Sequence, residues 1–143
     1  MANDLRAFMA SSVEKEELVD YTVSKRFKDA KGEPVKWKLK AITSKEDEKI
    51  RRNCTRKVPV AGKRGQRIPE TDINEYLGEM VCACIVYPNL NDKELQDSYG
   101  VMGAEELLKT MLKPGEYTDL TSEVQRINGF DSSMEEMVDE AKN

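Results

Sequence analysis

The segment LVDYTVSKRFKDAKGEPVKWKLKAI, residues 18–42, decides the fold. Apolar and polar residues alternate in two runs, and the turn-forming stretch KDAKGEP lies between them. The apolar positions are Val19, Tyr21, Val23 and Phe27 in the first run and Val35, Trp37, Leu39 and Ala41 in the second. This period of two is typical of strands with one buried face, so the segment predicts an antiparallel β-hairpin. Because an isolated hairpin is only marginally stable in water, we expect helices to cover its apolar face.

The residues after the hairpin predict a helix followed by a loop. Thr43 and Glu46 have the spacing of a capping box, and the helix that they begin is expected to continue to about Lys57. Two prolines, two glycines and several charges follow in VPVAGKRGQRIPE, residues 58–70. Proline and glycine interrupt regular structure, so we interpret this stretch as a loop.

The central helix is predicted from Asp72 to Tyr87. Its apolar residues recur at intervals of three and four, and from Met80 onward the helix would be apolar on every side, which is typical of a buried helix. Pro88 ends this helix. Beyond it, start signals such as the Asn91 cap and repeated Gly and Pro stops predict four shorter helices.

The predicted fold class is α+β, with an N-terminal β-hairpin packed on a compact, mainly α-helical domain. Short helices with frequent proline and glycine stops favour crossed packing over a long bundle. We expect a single domain over residues 1–143, divided into an N-terminal arm or short helix (1–16), the hairpin (17–42) and a helical part (43–143).

The composition excludes several classes of active site. The 143 residues include no histidine, so Ser-His and Cys-His nucleophiles and His-containing zinc sites are impossible. The cysteines are Cys54, Cys82 and Cys84. On a helix, Cys82 and Cys84 would point about 200° apart and could not chelate one ion together, so we interpret all three as reduced core thiols of a cytosolic protein. No catalytic residue, cofactor, metal site or membrane span is predicted.

A basic segment from Lys49 to Arg67 contains eight Lys or Arg residues and no acid. The cations that could form an electrostatic patch are Arg51, Arg52, Arg56, Lys57, Lys63, Arg64 and Arg67. This patch could be a solvated surface, or it could bind an acidic protein or a nucleic-acid backbone. Nucleic acid is the least favoured of the three, because the segment contains no aromatic side chain on which bases could stack.

Apolar residues at helical spacing lie near both ends of the chain. They are Leu5, Phe8 and Met9 at one end and Met134, Met137 and Val138 at the other. Chain ends contribute least to a domain core, so we predict that these residues bind a partner helix. The alternatives are a frayed N-terminus and core packing of the last helix.

Three stretches resemble the XkdN-like tail assembly chaperones of tailed phages and prophages. They are VSKRFKDAKGEPVKWKLKAITSKEDEKIRRNCTRK, YLGEMVCACIVYPNLNDKELQDSYGV and AEELLKTMLKPGEYTDLTSEVQRINGF. The resemblance covers roughly Val19–Phe130. It rests on the hairpin with Phe27 and Trp37, the helix of Cys54, the YPNL turn and the MLKPGE corner.

The resemblance implies a binding protein and not an enzyme. Such a protein is expected to bind the long, largely helical tape-measure protein while the tail tube polymerises, with the tube protein as a second possible partner. It would act in the host cytoplasm and be absent from the mature virion. The alternatives are another phage morphogenesis or adaptor protein, or a small nucleic-acid-binding regulator that uses residues 49–67.

Overall fold

A computed structural model describes residues 5–130, which form two small antiparallel sheets and five α-helices. A single turn of 3₁₀ helix, Arg6–Phe8, precedes them. In chain order the elements are β1 (Val19–Tyr21), β2 (Trp37–Leu39), α1 (Ser44–Asn53), β3 (Thr55–Val60), β4 (Lys63–Thr71), α2 (Ile73–Cys84), β5 (Ile85–Tyr87), α3 (Lys93–Ser98), α4 (Ala104–Met111) and α5 (Pro114–Ile127). The α+β fold class is therefore confirmed.

The predicted N-terminal hairpin is present and forms two strands of a three-stranded sheet. β2 lies in the middle, between β1 and β5, and Tyr21 stands opposite Trp37 in the antiparallel register. Trp37 and Leu39 are buried, whereas Lys38 between them is exposed and pairs with Asp20 at 2.9 Å. The alternation in the sequence thus corresponds to one buried face and one solvated face.

The central helix is shorter than predicted. The Asp72 carboxylate caps α2 by accepting the N–H of Glu75 at 3.1 Å, as the start signal indicated. The helix ends at Cys84, however, and residues 85–87 continue directly as strand β5, so the prediction of helix to Tyr87 is wrong at its end. Short apolar runs fit a buried helix and a buried strand equally well, and here pairing with β2 selects the strand.

The predicted loop after α1 is a β-hairpin. α1 begins with the expected capping box of Thr43 and Glu46, but it ends at Asn53 and not near Lys57. Residues 55–71 form the antiparallel pair β3–β4. The predicted helical part, residues 43–143, therefore contains a β-hairpin that was not predicted.

The prolines and charged residues of this segment explain why the sequence did not predict the hairpin. Pro59 and Pro69 lie within its strands, and proline lacks the N–H that a central strand must donate. A two-stranded sheet consists only of edge strands, which tolerate proline where the N–H would face solvent. Gly62 makes the reversal with φ of 76°, a conformation that glycine adopts without strain.

The core lies between the three-stranded sheet and the helices. α2 contacts α1, α4 and α5, so it is the central helix, as expected from its apolar composition. The fully buried side chains are Trp37, Leu39, Cys54, Tyr76, Met80, Val81, Cys84, Leu107, Leu108, Leu120 and Val124. Residues of the sheet and of α2 belong to one continuous cluster, so the helical layer covers the apolar face of the hairpin.

Asn128, just after α5, connects three parts of the fold. Its side-chain oxygen accepts the N–H of Ile42 at 2.9 Å, and its amide nitrogen donates to the carbonyl of Val124 at 2.8 Å and to the sulfur of Cys84 at 3.3 Å. One side chain therefore joins the end of α5 to the β2–α1 connection and to the end of α2.

Arg26 fixes the hairpin loop to the corner between α4 and α5. Its guanidinium donates to the carbonyl of Met111 at 3.0 Å and pairs with Glu116 at 2.6 Å. The hydrogen bond from Arg26, followed by those from the Lys113 N–H and the Ser24 hydroxyl, lowers the pKa of Glu116 to about 2.

The first prediction concerns Trp37, which is only 2% exposed. Replacing a buried aromatic residue by alanine leaves a cavity, so Trp37→Ala should lower the free energy of unfolding by about 3–5 kcal/mol. Urea denaturation measures this change. The control Lys36→Ala removes an exposed neighbour and should change stability by no more than about 0.5 kcal/mol. A loss for Trp37→Ala as small as that of the control would contradict the packing described.

The second prediction concerns the pH dependence of the Arg26–Glu116 pair. The pKa of Glu116 is lower in the folded state than its ordinary value of 4.5. Its stabilising contribution should therefore be present above pH 4.5 and disappear as the pH falls toward 2. In Arg26→Gln the part of this contribution that comes from the arginine is absent at all pH values, whereas the hydrogen bonds from the Lys113 N–H and the Ser24 hydroxyl remain. Melting curves should show a gap between parent and variant at pH 5 that closes on acidification, and a gap independent of pH would refute the assignment.

Candidate interaction surfaces

The hairpin of residues 55–71, which we call the basic arm, is attached to the domain mainly at its base. The hydroxyls of Thr55 and Thr71 lie 2.6 Å apart across the two strands, and the N–H of Asp72 donates to the carbonyl of Cys54 at 2.8 Å. Every residue from Ala61 to Glu70 is exposed. The arm is thus a surface element with a fixed attachment.

Two of the seven predicted patch residues contact side chains of α2. The Arg51 guanidinium lies 4.5 Å from the ring centroid of Tyr76 and donates to its hydroxyl at 3.3 Å. The Tyr76 hydroxyl in turn donates to Asp47, and burial followed by this hydrogen bond raises the pKa of Tyr76 to about 12. Arg56 pairs with Glu75 of α2 at 3.0 Å. These two arginines join α1 and the arm to α2 and are less available to a partner than predicted.

The other five predicted cations are exposed, and within residues 5–130 none of them takes part in an ion pair. Arg52 lies in the last turn of α1, and Lys57, Lys63, Arg64 and Arg67 lie on the arm. Lys57 stands opposite Pro69, and Arg67 stands opposite Pro59, so Lys57 and Arg67 share one face of the arm. The structure thus gathers four available cations on one projecting element.

The predicted apolar residues of the N-terminus are accessible. Leu5, Phe8 and Met9 are 62%, 80% and 50% exposed, in and around the single 3₁₀ turn that replaces the expected short helix. Met134, Met137 and Val138, the second half of the predicted partner-binding set, lie outside the described residues.

Met102 is an exposed apolar residue that the sequence interpretation missed. It lies in the loop between α3 and α4 and is 89% exposed. Gln96 fixes this loop, because its amide donates to the carbonyl of Leu90 at 2.8 Å and accepts the N–H of Gly103 at 3.1 Å. The glycines on either side, Gly100 and Gly103, were the available signal for a loop.

A second unpredicted group lies at the base of the arm. The sulfur of Cys54 and carboxylate oxygens of Glu75 and Glu79 lie within 4.8 Å of one another. These three atoms could ligate a cation, but a structural zinc site needs four ligands and Glu75 is already paired with Arg56. Burial, followed by the charge and hydrogen bond of Glu79, raises the pKa of the Cys54 thiol to about 12. The group therefore acts as a protonated thiol beside two carboxylates.

The remaining cysteines fit the interpretation as core thiols. Cys84 is fully buried and Cys82 is half-buried, and none of the three cysteines forms a disulfide. Burial, followed by the charge of Glu105, raises the pKa of Cys82 to about 12, and burial also raises the pKa of Cys84.

Comparison with known proteins identifies the family. The model of the phage XkdN-like tail assembly chaperone family matches residues 5–142. The protein belongs to this family. The family resemblance of the packing motifs is thus confirmed, and the match extends beyond Val19–Phe130 at both ends. No helix within residues 5–130 is long and apolar enough to cross a membrane.

Two curated relatives from Bacillus subtilis strain 168 are similar to this chain over nearly its whole length. The uncharacterized protein YqbN is 34% identical over 98% of this chain and 93% of its own. The phage-like element PBSX protein XkdN is 30% identical over 98% of this chain and 94% of its own. A crystal structure of YqbN superposes with a TM-score of 0.77 and 28% identity, covering 92% of this chain and all of that one.

The third prediction concerns the thiols. The thiolate is the reactive form of cysteine, and burial with raised pKa values suppresses it. Ellman's reagent at about pH 8 should therefore react at least about 100-fold more slowly with the native protein than with the protein in concentrated guanidinium chloride. The unfolded protein should release three equivalents of product. A native thiol that reacts as fast as free cysteine would show that its residue is not packed as described.

Proposed function

We propose that the protein is a chaperone that binds the tape-measure protein during phage tail assembly and catalyses no reaction. It would act in the host cytoplasm and leave before the virion is complete, and the tube protein is a possible second contact. Membership of the tail assembly chaperone family supports the general role. The absence of histidine supports a non-enzymatic role, because the commonest general base is missing.

The observation that carries the proposal is the exposure of Leu5, Phe8 and Met9. Their side chains are large and apolar, and they lie within the part of the chain that the family model matches. Covering such residues with the apolar face of a helix removes apolar surface from water, which is the main source of affinity for amphipathic helices. The small area limits the affinity, and a chaperone that must later release its partner needs limited affinity.

The C-terminal residues extend the same proposal. Met134, Met137 and Val138 also lie within the matched range, and methionine suits surfaces that accept varied apolar partners. The proposed binding surface therefore draws on both ends of the chain.

The fourth prediction tests this surface by co-expression with the tape-measure protein of the same phage or prophage. The double variant Phe8→Asp/Met9→Asp should lower the soluble fraction of the tape-measure protein at least about fivefold, because it places charges where an apolar helix face would bind. Met134→Asp/Met137→Asp should have the same effect. Thermal melting of the Phe8→Asp/Met9→Asp variant should match the parent, since both residues are exposed.

Met102→Asp is the matched control, because Met102 is also a large apolar residue and is more exposed than Phe8. It should leave the solubility of the tape-measure protein unchanged. If Met102→Asp is the one variant that lowers the solubility of the tape-measure protein, the binding surface lies at the α3–α4 loop instead. Unchanged solubility in all three variants would refute the proposed surface.

A further inference from the structure

We propose that the basic arm is a docking site for the acidic C-terminal segment of the same chain, residues 131–143. The proposal rests on the charge of the two segments, on the place where the described chain ends and on the length of the segment. It does not depend on the proposed chaperone function.

The charges of the two segments are complementary. The arm carries Lys57, Lys63, Arg64 and Arg67 without ion-pair partners within residues 5–130, and its one acidic residue is Glu70. Residues 131–143 carry five acidic side chains and one lysine. The acids are Asp131, Glu135, Glu136, Asp139 and Glu140. The protein as a whole has a net charge of −4, so the arm stands out as a cationic element on an acidic protein.

The segment starts within reach of the arm. Phe130 lines a depression together with Ser44 and Asp47, which belong to the N-terminal half of α1. α1 has ten residues and is therefore about 15 Å long, and its other end continues through Cys54 into the arm. Thirteen residues span up to about 43 Å when extended and about 20 Å when helical. Either conformation allows contact with the base of the arm.

A positive charge in the second half of α1 favours docking of the acidic segment along this helix. Arg52 in the last turn of α1 is exposed and, within residues 5–130, has no ion-pair partner. It lies between the start of the segment and the arm. Because the two segments belong to one chain, their effective concentration is on the order of millimolar, so weak exposed ion pairs suffice to hold a substantial population docked. Such contacts weaken as salt screens them.

The docked segment has a consequence for chaperoning that does rest on the proposed function. Met134, Met137 and Val138 lie in the same segment, so a partner helix that binds them would compete with the arm. The arm would then hold the segment until a partner takes it.

The test attaches a nitroxide to Asn143→Cys in the otherwise unchanged chain and measures paramagnetic broadening of backbone amide signals. The native thiols are packed and should leave the new cysteine as the one that reacts. In about 0.05 M salt, the amides of residues 61–67 should lose at least half of their intensity, and about 1 M salt should restore them.

Charge reversal provides the matched comparison. Glu135→Lys/Glu136→Lys/Asp139→Lys should abolish the broadening, because it removes the attraction. Glu33→Lys/Glu94→Lys/Asp119→Lys reverses the same number of exposed charges at positions that do not line the depressions beside residues 127–130, and it should leave the broadening intact. Adding Lys63→Glu/Arg64→Glu/Arg67→Glu to the reversed segment should bring the broadening back.

Three outcomes would overturn the proposal. The first is no broadening of the arm in the parent at low salt. The second is broadening that persists after reversal of the segment. The third is broadening that also appears in a mixture of two preparations, one with the nitroxide but without ¹⁵N and one with ¹⁵N but without the nitroxide. The occupant of the arm would then be a second copy of the chain. Co-solubilisation of the tape-measure protein is measured separately, so failure of either idea can be told from failure of the other.

Discussion

The junction at Cys84, where α2 becomes β5 without a connecting loop, is the constraint on which the rest of the structure depends. The carbonyl of Cys84 accepts the N–H of Lys40 at 2.8 Å, which brings the end of the helix against the sheet. The sulfur of Cys84 accepts the Asn128 amide, which brings the end of α5 to the same place. Because one continuous segment supplies both the central helix and the third strand, the helical layer cannot shift without moving the sheet.

Local signals in the sequence predicted much of this fold, whereas contacts between distant segments decided the rest. Thr43 and Asp72 start helices as expected, because a cap depends only on neighbouring residues. Ile85 lies in a strand because Leu39 stands beside it, and this pairing leaves no trace in the local pattern. The basic arm was missed for a related reason, since its prolines are compatible with strands only if no further strand pairs with them.

The properties of the candidate surface residues were likewise predictable only in part. Exposure of Leu5, Phe8 and Met9 was predictable, because apolar residues near a chain end have few neighbours to cover them. That Arg51 stacks on Tyr76 and Arg56 pairs with Glu75 was not predictable, because both contacts arise from the packing of α1 and the arm against α2. Composition therefore located the cations, and only the structure separates Arg51 and Arg56, which contact α2, from those that have no ion-pair partner within residues 5–130.

The two prolines of the arm also protect the protein from self-association. A two-stranded hairpin has two open edges, and an open edge can recruit strands from other molecules into a growing aggregate. Pro59 and Pro69 each remove one backbone donor from an edge, and the exposed lysine and arginine side chains repel a second arm. The edges of the arm can thus face solvent without becoming templates for strand pairing between molecules.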